Sequence, residues 1–213
     1  MSLFSFLESL WQGVVIRLAG KRIAILGARA TGKTRLINFL QTKTVPLPGK
    51  EFPTSIEKVP GTVLDIGGIS ITLAPTEDVS GHESHYDEWK AIASGSAFII
   101  YLFRADLLNE NDSHVKQRIK DDLTIIRTWS QSRIVLVGTH TDKDKEFLRL
   151  SQAYDEQYRI YTDILTENDV IAEAISTAGG PAQCKVVSGS LMDANSTAVL
   201  VTETFKVIDK WLG

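Results

Sequence analysis

The sequence predicts an α/β fold: a mostly parallel six-stranded sheet with one antiparallel strand and helices on both faces. Three features predict it. Short apolar runs alternate along the chain with stretches of helical periodicity, the order that builds parallel strands through helical crossovers. Two runs, Ala97–Phe103 and Ile134–Val137, are apolar without interruption, as strands covered on both faces require. One pair, Val59–Ile66 and Ile69–Leu73, is separated only by Gly67-Gly68, a hairpin turn that sets one strand antiparallel to its neighbour.

The elements follow in order. Residues 1–20 form an amphipathic helix: Leu3, Leu7, Leu10, Val14 and Leu18 share one line, flanked by Phe4, Trp11 and Val15. Ser2, Ser5, Ser9 and Gln12 face away, and Gly20 stops the helix. Lys21–Leu26 is a short strand, followed by a glycine-rich turn and a helix through Arg35–Leu40. From Gln41 to Thr54 the breakers Pro46, Pro48, Gly49 and Pro53 mark a loop. After the hairpin, a polar stretch from Thr76 to Asp87 leads into a helix around Glu88–Ala93. Another helix spans Ser113–Trp129, with Val115, Ile119, Leu123 and Ile126 on one stripe. Residues 145–178 are mostly helical and end at Gly179-Gly180-Pro181; Cys184–Val187 is the last strand and Ala198–Leu212 the last helix. Residues 21–213 therefore read as a single domain behind an N-terminal helix, with 145–180 as an extended helical insertion.

Composition narrows the function. The 213 residues are 43% hydrophobic and 23% charged, which excludes disordered and fibrous classes. Lys plus Arg number 23 against 26 Asp plus Glu, a net charge of −3, so no basic footprint for nucleic acid is present. A single cysteine makes neither an internal disulfide nor a thiolate metal cage and suits a reducing cytosol. No run reaches the ~20 apolar residues that span a bilayer, and neither a secretory start nor a lipidation site is visible. A cytoplasmic protein is expected, with at most peripheral membrane contact through residues 2–19. That apolar stripe packs on protein in the favoured reading, and the helix offers only Arg17 as a cation toward a membrane.

Gly27-Ala28-Arg29-Ala30-Thr31-Gly32-Lys33-Thr34 satisfies G-x-x-x-x-G-K-[ST], directly after an apolar strand and opening a helix. The two glycines let backbone N–H groups converge on phosphates, and the helix start adds positive potential. Lys33 reaches the β- and γ-phosphates, and the Thr34 hydroxyl is a hard oxygen donor suited to Mg²⁺.

With four further stations the chain resembles the Ras-like small GTPases over residues 21 to about 191, which implies a P-loop G domain. Pro53-Thr54 lies where the family's switch I threonine binds Mg²⁺. Asp78-Val79-Ser80-Gly81 resembles the D-x-x-G element opening switch II, with Asp78 toward the metal and Gly81 toward the γ-phosphate. Thr139-His140-Thr141-Asp142 looks like the guanine-reading N/T-K-x-D motif in the Thr-His-x-Asp form of the Roc class. Ser188-Gly189-Ser190 resembles the S-A-K loop behind the base. Asp65-Ile66-Gly67-Gly68 also fits D-x-x-G but is assigned to the hairpin turn. The step from Asp142 to Ser188 exceeds the family's by about twenty residues, the helical insertion already noted.

Asp142 carries the choice of base. A carboxylate accepts two donors, guanine offers N1–H and its 2-amino group as such a pair, and adenine offers none. His140 replaces a lysine whose stem packs along the base, and an imidazole stacks there instead. Where Ras-like proteins place a glutamine to orient the attacking water, this chain has His82, followed by Glu83-Ser84. Gly-His resembles translational GTPases, and Gly-His-Glu-Ser resembles the Arf-related β subunit of the signal-recognition-particle receptor. The resemblance implies His82 and Lys33 as catalytic residues, and a histidine ring nitrogen can hold that water. Arg29 reads as a rim residue facing solvent or a carboxylate, and alternatively as a built-in arginine finger.

The expected function is a switch that binds GTP or GDP with Mg²⁺, hydrolyses GTP slowly, and controls an effector with the help of activating or exchange proteins. The alternative is a pseudo-GTPase that holds nucleotide as a scaffold or regulatory subunit. A P-loop ATPase or nucleotide kinase is a third class; a kinase needs an arginine-rich lid, which the sequence lacks.

Overall fold

The computed structural model describes residues 20–45, 63–66, 69–73, 84–150 and 154–213. In chain order these hold β1 (Arg22–Gly27), α1 (Lys33–Thr42), β2 (Val63–Ile66), β3 (Ile69–Leu73), α2 (Ser84–Ser94) and β4 (Phe98–Arg104). There follow α3 (Ala105–Asn109), α4 (Ser113–Trp129), β5 (Arg133–Thr139), a 3₁₀ turn (Thr141–Lys143), α5 (Lys145–Arg149), α6 (Tyr154–Glu167), α7 (Asp169–Thr177), β6 (Cys184–Ser188) and α8 (Ala194–Lys210). The predicted helix over 1–20 lies outside the described residues.

Parallel pairing of β1 with β4, β4 with β5 and β5 with β6 makes the body of the sheet. Beyond β1 the backbone ladder continues through β3, parallel to it, to β2, antiparallel to β3, giving the order β2-β3-β1-β4-β5-β6. Alternation along each strand sorts the side chains into two cores. Ile23, Ile25, Ile100, Leu102, Val135 and Val137 face α1 and α8, where they meet Leu36, Ile37, Leu200, Val201 and Phe205. Ala24, Leu26, Ile99, Tyr101, Ile134 and Leu136 face α2, α4, α6 and α7. The uninterrupted apolar runs of β4 and β5 are thus explained: both faces of these strands are covered by helices.

Helix starts follow side-chain caps that hydrophobic period alone does not reveal. The Asp193 carboxylate accepts from the Ser196 amide, so α8 begins at Ala194, a turn before the expected Ala198. Asp112 likewise accepts from the amides of His114 and Val115 and starts α4 where expected. The 145–178 stretch is divided into three helices, with Asn168 capping the third through the Val170 amide.

Arg127 near the end of α4 brackets this region. Its guanidinium donates to the carbonyls of Ser130 (3.2 Å) and Ser132 (2.9 Å) and to that of Ala178 just past α7. Arg127→Leu should lower unfolding free energy by about 2–4 kcal/mol in urea denaturation, since three carbonyls lose a charged donor.

Candidate functional site

The phosphate loop leaves β1 at Gly27, whose φ of +135° lies where only glycine is at ease. A Cβ there would collide with the Leu102 carbonyl oxygen on β4. The chain returns to helix at Gly32, φ +93°, which caps α1 with no side-chain acceptor. Glycine at the cap puts no side chain between the first turn of α1 and an approaching anion, the condition for anion binding at a helix start. Lys33 is 2% exposed and folds back over the loop. Its ammonium donates to the Gly27 carbonyl at 2.5 Å and to that of Ala28, with the Thr31 hydroxyl at 3.4 Å. Thr31 in turn donates to the Ala28 carbonyl at 2.8 Å, and Ala30 takes a left-handed conformation, φ +58°. Arg29 is exposed, and Thr34 stands in the first turn of α1 beside Lys33.

β5 delivers the second loop to the same edge of the sheet. Thr139, its last residue, is fully buried. Its hydroxyl lies 2.9 Å from the Thr31 carbonyl of the phosphate loop and 3.0 Å from the Phe103 carbonyl of β4. One side chain thereby ties two loops that are far apart in sequence. His140 follows with φ +63°, and Asp142 sits in the 3₁₀ turn. The third loop closes the set. The Gly189 amide donates to the Gly138 carbonyl at 2.9 Å, and the Ser190 hydroxyl donates to Asp142 Oδ1 at 2.5 Å. Ser190 also receives the Met192 amide at 3.0 Å.

Ser188 does not join this group. Its hydroxyl bonds Thr162 on α6 at 2.7 Å, with the Tyr158 carbonyl at 3.4 Å. Ser188 is the last residue of β6, and Ser190 lies two residues past the strand's end, where the chain has left the pleat and turns to the carboxylate. Two neighbours belong to no sequence motif. Leu191 is buried at the position a Gly32 side chain would need, and Met192 is 48% exposed next to Ser190. Thr54, Asp78, Gly81 and His82 lie outside the described residues.

Burial, and after it the Arg104 guanidinium, bring the His140 imidazole down to about 4, so it is neutral at physiological pH. Arg104 is itself clamped by Asp106, Nε to Oδ1 at 2.7 Å. His140 Nδ1 lies 2.9 Å from the Thr139 hydroxyl. That hydroxyl has one proton and faces two carbonyls, so the contact is best satisfied when Nδ1–H donates to it.

No family model matches the chain, and no curated protein sequence does. Solved structures do. Over 98% of this chain and 87% of the other, it is similar to the crystal structure of an ADP-ribosylation-factor-like GTP-binding protein, the small COPII coat GTPase Sar1 from Encephalitozoon cuniculi, in complex with GDP (TM-score 0.59, 15% identity). The fold is that of a small GTPase. The mammalian signal-recognition-particle receptor is also similar, over 90% of this chain and 100% of that one (TM-score 0.54, 12% identity). In a small GTPase fold the three loops described here share the C-terminal edge of the sheet, where α/β proteins bind their ligands.

The buried imidazole makes stability depend on pH. Between the ordinary value of 6.5 and about 4 the unfolded chain takes up a proton at this ring before the folded chain does, so stability falls as pH falls through that window. His140→Gln should flatten the parent's decline between pH 6.5 and 4 in chemical denaturation and leave the curve above pH 7 unchanged in slope.

Proposed function

We propose that this chain is a guanine-nucleotide switch: it binds GTP and GDP with Mg²⁺, hydrolyses GTP slowly, and presents an effector with two states of different affinity. Residues 21–213 act as one G domain built on the six-stranded sheet with antiparallel β2, residues 1–20 as a preceding helix, and residues 145–180 as an extended helical insertion. The observation that carries the reading is the bond from the Thr139 hydroxyl to the Thr31 carbonyl. It supports one ligand spanning both loops, with phosphates on the amides of 27–34 and the base against Asp142.

The roles follow from chemistry. The amides of Gly27, Ala28, Arg29, Ala30, Thr31 and Gly32 and the Lys33 ammonium neutralise phosphate charge, Lys33 by exchanging its bonds to loop carbonyls for phosphate oxygens. Asp142 keeps lone pairs beyond the one used by Ser190 and accepts guanine N1–H and the 2-amino group. Thr139, Gly189 and Ser190 hold that carboxylate in place, and neutral His140 stacks on the base without adding charge. Ser188 supports the loop from behind through Thr162.

Mg²⁺ takes hard oxygen donors and retains water, and the hydroxyls of Thr34 and Thr54 with the Asp78 carboxylate are donors of that class. When bound, the ion neutralises charge on the β- and γ-phosphates. His82, just after Gly81, orients the attacking water through a ring nitrogen.

The described residues contain no helix long and apolar enough to cross a membrane. We place the protein in the cytoplasm, with residues 2–19 as the segment for a partner protein or a membrane surface, and with activating or exchange proteins as further partners.

Chromatography of the nucleotide released by denaturing the purified protein tests the reading: GDP or GTP is expected, and adenosine nucleotides would overturn it. In single-turnover assays His82→Ala should slow phosphate release by about 10²-fold while GDP affinity stays within twofold. Equal rates would remove the histidine's role. Tight nucleotide retention with no phosphate release from the parent would select the scaffold reading, which the replacement of a lysine by neutral His140 favours. Ser190→Ala should weaken GDP binding about tenfold, because Asp142 loses the donor that orients it.

A further inference from the structure

Below the phosphate loop, a buried carboxylate fastens α2 to the rest of the molecule. Asp122 on α4 is fully buried and takes three donors. Tyr86 in the first turn of α2 donates to Oδ1 at 2.9 Å, Arg118 Nε donates to the same oxygen at 2.8 Å, and Tyr101 on β4 donates to Oδ2 at 2.8 Å. The Arg118 guanidinium lies 5.9 Å from the ring centres of both Tyr86 and Trp89, so α2 sits on a cation held by the same carboxylate. Arg118 also lines a cavity of about 400 Å³ whose wall includes Ala28 to Thr31 of the phosphate loop. Contacts therefore join the start of α2 to Asp122 and Arg118, and Arg118 shares a cavity with the edge of the phosphate loop.

The cost of this arrangement sets it apart from ordinary core packing. A buried carboxylate loses its hydration, a loss recovered only if its lone pairs are filled. An apolar residue at 122 would pack this core without that penalty. The indole N–H of Trp89 is buried and finds no acceptor among the described residues. Packing alone thus leaves α2 with an unmet donor, while the polar bond at Tyr86 sets its azimuth and height on α4. Tyr86 stands four residues after His82, within one helical turn of where the chain enters α2 at Ser84.

We propose that Tyr86, held by Asp122, is a positioning residue for GTP turnover: the bond fixes the first turn of α2 on α4, and His82, the proposed water-orienting residue, comes two residues before that helix in the chain. It acts through α2 and touches no substrate. The proposal rests on the site being one that hydrolyses GTP.

Two single-hydroxyl deletions separate positioning from stability. Tyr86→Phe removes one bond to Asp122 and keeps the ring against Trp89 and Trp129, whose centres lie 6.0 and 5.9 Å away. Tyr101→Phe removes a bond of the same kind from the same carboxylate, on a strand instead of α2. Single-turnover hydrolysis, GDP affinity, affinity for a non-hydrolysable GTP analogue and urea unfolding are measured for the parent and both variants. Tyr86→Phe is expected to slow hydrolysis about tenfold with both affinities within twofold, as displacement of a reacting group does. Tyr101→Phe is expected to lose as much stability or more and to keep the parent's rate. Parent-like hydrolysis in Tyr86→Phe, or equal slowing in both variants, would overturn the positioning role while leaving the hydrolase reading intact. A parent that binds guanine nucleotide without any turnover would remove the hydrolase reading and this role together.

Discussion

The site depends on a single buried hydroxyl. Thr139 ends β5 and touches the carbonyl of Thr31, so the loop after β1 and the loop after β5 are held at a fixed separation across β4. Parallel strands bring their C-terminal ends to one edge, but strand pairing alone leaves the loops beyond them free to splay. The hydroxyl prevents this, and its burial makes the bond costly to break. The Gly189 amide on the Gly138 carbonyl adds the third loop by the same device. A rigid edge of this kind is what a two-ended ligand needs, since distance between its two grips must be set before it arrives.

Much of the fold could be read from hydrophobic pattern, and the reasons are local. The runs at 97–103 and 134–137 are apolar throughout because helices cover both faces of β4 and β5, and the stripe of α4 at Ile119, Leu123 and Ile126 falls on one core. Pattern failed where polar residues begin an element. Asp193, Ser196 and Thr197 hide the first turn of α8 because Asp193 caps it, Ser196 bonds that cap and Thr197 bonds the backbone, and hydrophobic period does not register caps. The same limitation applies to the short α3, too brief to show a period.

At the site, the glycine-lysine motif was legible because its spacing is imposed by steric crowding: Gly27 meets β4 backbone and Gly32 meets Leu191. The last loop was harder to place. Ser188 and Ser190 are equal candidates by type, and the end of β6 between them decides that one serves α6 and the other Asp142. Arg104, which adds to burial in keeping His140 neutral, belongs to no motif and comes near only through the pairing of β4 with β5. Asp122 was invisible for a related reason: a carboxylate inside an amphipathic helix reads as solvated until its two tyrosine partners, distant in sequence, are brought to it.

In the proposed function, Lys33 and Asp142 grip opposite ends of one guanine nucleotide. Calorimetric titration of GDP, guanosine and ADP into nucleotide-free parent, Lys33→Ala and Asp142→Ala tests it most directly. GDP should bind the parent at least about 10²-fold more tightly than ADP, Lys33→Ala should weaken GDP and spare guanosine, and Asp142→Ala should weaken both and erase the preference over ADP. Equal affinity of the parent for ADP and GDP, or loss of guanosine binding in Lys33→Ala with Asp142→Ala unaffected, would contradict it.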